Sequence, residues 1–212
     1  MIITKPKKLD DILGHINGRP VFIVGCSECA TLCHTGGEDE VSSMKDALKN
    51  KNIDVTGWVV LEPACHLQND KRLLKSHKKE VDKAEKILVL ACGNGVQTVS
   101  EVLKDFNVIS GTDTLFLGEI KHASEFEKRC IMCGDCLLDL FEGFCPVSRC
   151  PKSMLNGPCG GSKNGKCEVD LDMDCVWDAI YKFLKEKGRL HQLEEIRKPK
   201  DWSRSIDMRR IL

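Results

Sequence analysis

The sequence has no surplus of either charge: 32 Lys and Arg stand against 32 Asp and Glu over 212 residues. Without a basic excess or block it lacks the means to displace counterions from phosphates, which argues against general nucleic-acid binding. No apolar run approaches the roughly 18 to 20 residues needed to span a bilayer, and Met1 to Asp11 lacks the apolar stretch of a signal peptide. A cytoplasmic protein without a membrane span is therefore expected. Repeats and low-complexity tracts are missing as well. The histidines, His15, His34, His66, His77, His122 and His191, are dispersed and form no HExxH or Cys–His catalytic pattern. Gly93-x-Gly95 is too short and badly placed for a dinucleotide fingerprint. Aromatic residues are only 5%, yet a hydrophobic content of 42% suffices for a core, which excludes a wholly disordered chain.

What the sequence does have is cysteine, 13 in all. A reducing compartment disfavours disulfides, so this count points to metal ligation or redox chemistry, and the odd total leaves at least one thiol for another task. Cys26, Cys29, Cys33, Cys65 and Cys92 lie in the first 129 residues, whereas eight crowd between Cys130 and Cys175. That asymmetry suggests separate modules: an α/β domain over 1–129, a cysteine-rich module over 130–175, and a C-terminal helix with a basic tail over 176–212.

In the first module, Pro20 to Gly25, Val55 to Leu61 and Lys86 to Ala91 are apolar, β-branched runs suited to strands buried on both faces, and Phe106 to Ser110 is a fourth. Val41, Met44 and Leu48 recur at helical spacing, as do Leu67, Leu74 and Val81 more loosely, and a further helix could begin near Gly95. Alternation of this kind predicts an open parallel sheet of the Rossmann or flavodoxin kind with right-handed crossovers. Ligands of such sheets gather at the carboxyl ends of the strands. Cys26, Cys65 and Cys92 each fall just past a predicted strand end.

The second module is loop-rich, with Gly143-Phe-Cys-Pro146, Asn156-Gly-Pro-Cys-Gly-Gly161 and Lys163-Asn-Gly-Lys-Cys167. A segment of this size cannot bury enough apolar area to offset its chain entropy, so ligation is expected to staple it. Asn164-Gly165 reads as a turn. Val176 to Lys187 reads as a helix with Trp177, Ile180, Tyr181 and Leu184 on one face. Residues 182–212 carry ten Lys or Arg against five Asp or Glu, either a solvated face or a docking arm for an acidic partner.

Cys26-x2-Cys29-x3-Cys33 places three thiols on the turn after a strand, a pattern that wraps one end of a cuboidal iron–sulfur cluster. Cys92 is the chosen fourth ligand, because the glycines of Cys92-Gly-Asn-Gly95 allow close backbone approach; Cys65 is the competitor and zinc the alternative metal. Cys130-x2-Cys133-x2-Cys136 with Cys145-Pro146 has the form of a bacterial ferredoxin ligand set, although the last Cys of such a set can serve another cluster. Cys150, Cys159, Cys167 and Cys175 remain, enough for another site holding zinc or a third cluster. Cys175 reads equally well as a structural thiol. His34 and His66 neighbour these residues and could tune a cluster through hydrogen bonds.

With Gly25-Cys-Ser-Glu-Cys-Ala-Thr-Leu-Cys33, Leu90-Ala-Cys-Gly-Asn-Gly95, Cys130-x2-Cys-Gly-x-Cys136, Cys145-Pro-Val-Ser-Arg-Cys-Pro-Lys152 and Leu155-Asn-Gly-Pro-Cys-Gly-Gly161 in view, the chain resembles the MetV-type small iron–sulfur subunit of two-subunit methylenetetrahydrofolate reductases of acetogenic bacteria. Ser27 stands where that family commonly has Gly. The resemblance implies two 4Fe–4S clusters in a non-catalytic electron-transfer subunit of one-carbon (Wood–Ljungdahl) metabolism. It also implies a large barrel subunit that carries FMN and reduces methylene- to methyl-tetrahydrofolate, with ferredoxin or a nicotinamide-oxidising subunit as upstream donor. A metal-stapled, non-redox assembly adaptor is the competing reading. A thiol redox enzyme using Cys26-x-x-Cys29 is disfavoured, because Cys33 follows so closely.

Overall fold

A computed structural model describes residues 1–122 and 125–206. The chain divides into two compact units, one built on Met1–Phe116 and the other on Leu117–Lys121 with the chain from Glu125 onward.

The first unit is an α/β fold around a parallel sheet. Strands β2 (Val21–Cys26), β3 (Val55–Leu61), β4 (Lys86–Val89) and β5 (Asn107–Ser110) are ordered β3-β2-β4-β5, all parallel. All six residues of β2 are buried, as expected of a central strand covered on both faces. Its side chains alternate between two cores. Phe22 and Val24 pack with residues of α4 (Leu67–Ser76), α5 (Lys78–Val81) and α6 (Gly93–Val102). Val21 and Ile23 pack with residues of α1 (Leu9–Ile16) and α3 (Glu38–Asn50). The loose periodicity from Leu67 to Val81 therefore belongs to two helices, broken at His77. A short strand, β1 (Ile2–Pro6), runs beside the start of the long strand β6 (Thr112–His122), where Lys7 pairs with Asp113 at 2.5 Å.

The second unit opens with the end of β6 and β7 (Glu125–Cys130), which pair with one another. Few of their side chains are buried. Ion pairs stand in for apolar packing: across the strands Lys121 meets Glu127 at 2.6 Å and Arg129 meets Glu119, and within β7 Arg129 also meets Glu127. The core of this unit is small. Phe141 packs edge-on against Trp177 at 5.3 Å, beside Ile180 and Leu184 of α8 (Val176–Glu186). The helix read from the sequence thus forms with its apolar face inward, except that Tyr181 is exposed. The last six residues of the basic tail, 207–212, lie outside the described residues. Among the described residues no helix is long and apolar enough to cross a membrane.

Backbone contacts fix the carboxyl edge of the parallel sheet. A Cβ on Gly36 would collide with the Leu90 carbonyl, and one on Gly25 would sit 2.5 Å from the Gly36 oxygen and 2.7 Å from a Val41 methyl. Gly36→Ala is expected to destabilise the protein by at least about 2 kcal/mol, measured by urea unfolding; a change within about 0.5 kcal/mol would show that the two loops can move apart freely.

Asp70 on α4 is fully buried with both carboxylate oxygens unpartnered. Burial raises its pKa to about 6, opposed in part by the His66 charge. An unfolded Asp titrates near about 3.9, so between those values the folded chain holds more protons than the unfolded one. The stability gained from the protonated form is complete below about pH 4 and is lost as pH rises through about 6. Asp70→Asn, uncharged throughout, is expected to flatten this part of the stability profile in urea titrations across that window. An unchanged slope would assign the proton to another group.

Candidate metal centres

The strand order places the topological switch point between β2 and β4. From β2 the chain moves outward to β3, then crosses back past β2 to β4 and β5. In open α/β sheets this crevice is the ligand-binding position, and the first unit's cysteines are gathered around it. Cys26 ends β2, Cys29 begins the single-turn helix α2 (Cys29–Leu32), Cys33 closes that turn, and Cys92 is the N-cap of α6. Cys26, Cys33 and Cys92 are buried, Cys29 is half-buried and Cys65 is exposed.

Sequence spacing left Cys65 and Cys92 as rivals; the structure brings both to the same place. Desolvation raises the Cys65 thiol pKa above its ordinary value, and the neighbouring thiolate charges of Cys92, Cys26 and Cys29 raise it further, opposed by a backbone hydrogen bond. Cys65 is thus near enough to Cys92, Cys26 and Cys29 to feel their charges. Cys33 and Cys29 both reach β1 at Ile2: the Cys33 Sγ donates to the Ile2 carbonyl at 3.7 Å, and the Ile2 N–H donates to Cys29 Sγ at 3.4 Å. Strand β1 thus closes one side of the group, anchored by the Thr4–Thr35 hydroxyl contact at 2.6 Å. The Cys26 N–H donates to Gly36 and the Thr31 hydroxyl to the Cys26 carbonyl, holding the turn on both sides of that thiol.

The Gly93 N–H donates to the Thr114 hydroxyl at 2.8 Å. His66 caps α4, its Nδ1 accepting from the Asn69 N–H at 3.2 Å, and His34 lies 3.9 Å from Glu40 with a largely exposed ring.

In the second unit Cys130 ends β7, and the loop that follows carries Cys133 and Cys136. Met132 and Gly134 adopt positive φ, 54° and 72°, which turns the Met132 N–H onto Cys130 Sγ at 3.2 Å. Cys133 is buried, with its thiol 3.6 Å from the Asp135 carbonyl, and Cys136 is exposed. Cys145 caps α7 (Pro146–Arg149), which packs against β7; the Ser148 hydroxyl donates to the Arg129 carbonyl at 2.7 Å. That packing carries Cys145 toward the strand that ends in Cys130.

The four remaining cysteines are gathered too. Cys150, Cys159, Cys167 and Cys175 all line a single small cavity of about 20 Å³. Cys145 is not among its walls. Cys175 is the N-cap of α8 rather than a mid-helix residue. None of the thirteen cysteines is in a disulfide. Among the described residues no three His, Cys, Asp or Glu side chains converge closely enough to hold a single metal ion as they stand.

Basic residues of the tail are engaged inside the second unit. Lys187 and Arg189 pair with Glu142, whose pKa they lower, first through the Lys187 hydrogen bond. Arg197 stacks over Phe141 at 5.3 Å. Lys200, with only 4% of its side chain exposed, donates to the carbonyl and carboxylate of Asp135, and Arg204 meets the same carboxylate at 3.4 Å. The tail therefore folds over the Cys133–Cys136 loop. Its use as a docking arm has to come from the cations left over.

Residues 109–203, a little under half of the chain, match the family model described as methylene-tetrahydrofolate reductase C terminal. This part of the chain is similar to the C-terminal region of methylenetetrahydrofolate reductases. No curated protein matches the chain. The matched stretch holds all eight cysteines of the second unit, from Cys130 to Cys175, and the Asn156-Gly-Pro-Cys-Gly-Gly161 loop.

If Asp135 anchors the tail, Asp135→Ala is expected to speed tryptic cleavage of the 197–204 segment several-fold, whereas Asp139→Ala leaves the rate unchanged. Equal rates in the two variants would show that the Lys200 and Arg204 contacts do not hold it.

Proposed function

We propose that the chain is an electron-transfer subunit of a methylenetetrahydrofolate reductase. In this reading its thiolates hold iron–sulfur clusters, and electrons pass to FMN on a larger barrel subunit that reduces methylene-tetrahydrofolate. What supports it is the placement of Cys26, Cys29 and Cys92 around the switch point of the parallel sheet, with Cys65 near enough for their charges to raise its pKa. All four donors are thiolates, a set that selects soft centres, and they arrive from three strand ends instead of one short knuckle. A cuboidal cluster in such a set would supply one-electron transfer at low potential.

The chain's own residues do the holding and tuning. The Ile2 N–H on Cys29 Sγ and the Met132 N–H on Cys130 Sγ would tune a cluster held there. Cys33, turned to the Ile2 carbonyl, acts as the fifth, non-ligating thiol that ties β1 over the site. Cys130, Cys133, Cys136 and Cys145 form the second set, enclosed by the Lys200–Asp135 contact. The match over residues 109–203 supports the reductase partner; ferredoxin or a nicotinamide-oxidising subunit is the upstream donor in this reading, and the protein is cytoplasmic.

The anaerobically purified chain is expected to absorb broadly in the visible and to show a paramagnetic signal on reduction. Cys65→Ser and Cys92→Ser should each lose about four Fe per chain, while Cys33→Ser keeps them. The reverse result, iron kept on changing Cys65 and lost on changing Cys33, returns Cys33 to the ligand set. Iron near zero with stoichiometric zinc would refute the relay in favour of a metal-stapled assembly adaptor.

A further inference from the structure

The parallel sheet of the first unit has a second edge, where its strands begin, away from the thiols. There α4, α5 and the end of α6 enclose a groove of about 280 Å³, with Val81 and Asp82 ahead of β4 and Phe106 ahead of β5. Its floor is apolar: Leu74 and Val81 are buried, and Val102, Leu103 and Phe106 pack on the same core while still lining the groove. Its rim is basic. Lys71, Lys75 and Lys104 are exposed and make no ion pair among the described residues, whereas Lys78 is held by Asp82 at 2.7 Å. Asp105 is the acid that stands against them. The chain as a whole is neutral, yet residues 71–86 carry seven Lys or Arg against three Asp or Glu.

The second unit carries the converse surface. Residues 168–174, Glu-Val-Asp-Leu-Asp-Met-Asp, alternate acidic and apolar side chains without Lys or Arg. They turn back on themselves: the Cys167 N–H donates to the Met173 carbonyl at 2.9 Å, the Met173 N–H to the Asp170 carbonyl at 3.1 Å, and the Asp172 N–H to the Asp170 carboxylate at 3.0 Å. Glu168 and Asp174 are occupied by Lys152 and Lys166. Asp170 and Asp172 make no ion pair among the described residues, and between them Leu171 is 73% exposed. The tip of the turn is thus an unburied leucine between two carboxylates.

We infer that the Asp170-Leu171-Asp172 tip of one copy of this chain docks in the lysine-rimmed groove of a second copy. Leu171 is the apolar anchor for the floor, and the two carboxylates face Lys71, Lys75 and Lys104, so that both shape and charge select the pairing. Each half of the contact is present in the one sequence, and a second copy supplies the missing half without a further component. The tip and the groove are different surfaces, so the contact is heterologous and continues past two copies unless the assembly closes on itself. One loop tip buries less than the roughly 1,200 Å² of a stable interface. The association is therefore weak, dependent on concentration, and loosened by salt because the rim charges are exposed.

The contact involves none of the thiols, so its test is separate from that of the relay. In sedimentation velocity under anaerobic, reducing conditions, the weight-average mass of the full-length chain is expected to rise with concentration at low salt. It should return to the monomer mass at about 1 M salt, where charges are screened within about 3 Å. Leu171→Ser and Lys75→Glu should each stay monomeric alone and form a dimer when mixed, because the first keeps an intact groove and the second an intact tip. A wild-type chain that is monomeric at every concentration overturns the contact and leaves the groove to an acidic segment of another protein. A mixture that stays monomeric, or association unaffected by either substitution, overturns it as well. Carbodiimide coupling of lysines to carboxylates, applied to the unmodified sequence as an equal mixture of unlabelled and isotope-labelled chains, gives an answer even if the variants fail to fold. Links from Lys71, Lys75 or Lys104 to Asp170 or Asp172 that join a labelled to an unlabelled chain support it. Links confined to one isotope, which place the tip in its own groove, or no such links, overturn it.

Discussion

The backbone of Gly36 lies against the Leu90 carbonyl with no room for a side chain between them, and the thiol group of the first unit depends on that contact. It brings the loop after β2 against the end of β4, the two sides of the switch point. Cys26, whose N–H is held by the Gly36 oxygen at 2.8 Å, and Cys92, two residues past Leu90, are thereby set at one place. Gly25 makes the same accommodation one layer below, against Val41 of α3. A sheet that is buried on both faces has little freedom to adjust its strand ends, so close loop packing becomes precise placement of side chains.

The second unit meets its constraint differently. Its apolar core is one aromatic pair and a helix face, too little for a segment with so many loops. Polar ties take up much of the rest: Glu142 with Lys187 and Arg189, Asp135 with Lys200 and Arg204, and Asn156 exchanging hydrogen bonds of 2.9 and 2.8 Å with the Arg197 backbone. Where such a pair reaches solvent, as at Arg204, it contributes little singly, but together these ties set the path of the tail. Cysteines then fall where loops cross, the positions at which a shared metal centre restrains several segments at once.

Much of the first unit was legible in the sequence because its central strands are continuous β-branched runs. Val55–Leu61 forms a strand with the expected ends, and Val21–Cys26 departs by one residue at each end. Strands β1, β6 and β7 were missed, since β6 and β7 carry charges that pair across the strands and leave no apolar alternation to read. The Asn164-Gly165 turn was legible for a local reason: both residues take positive φ, 51° and 79°, and close a two-residue hairpin between Lys163 and Lys166. At the site, spacing found the triplets Cys26–Cys29–Cys33 and Cys130–Cys133–Cys136. Strand ends also offered Cys65, but only as the rival of Cys92, because admitting both requires knowing that β3 lies beside β2 on the side away from β4. The last four cysteines were grouped only as the remainder, since they are at least eight positions apart and share a pocket through hairpin and helix-cap geometry that spacing does not show.

Exposure is uneven among the cysteines: Cys65, Cys136 and Cys159 lie at the surface while the other ten are buried or half-buried. If these thiols hold iron as proposed, the exposed members are where a donor protein would hand it over without the fold having to open. They are equally where dissolved oxygen would first arrive, so the door through which such centres are assembled would also be the one through which they are lost.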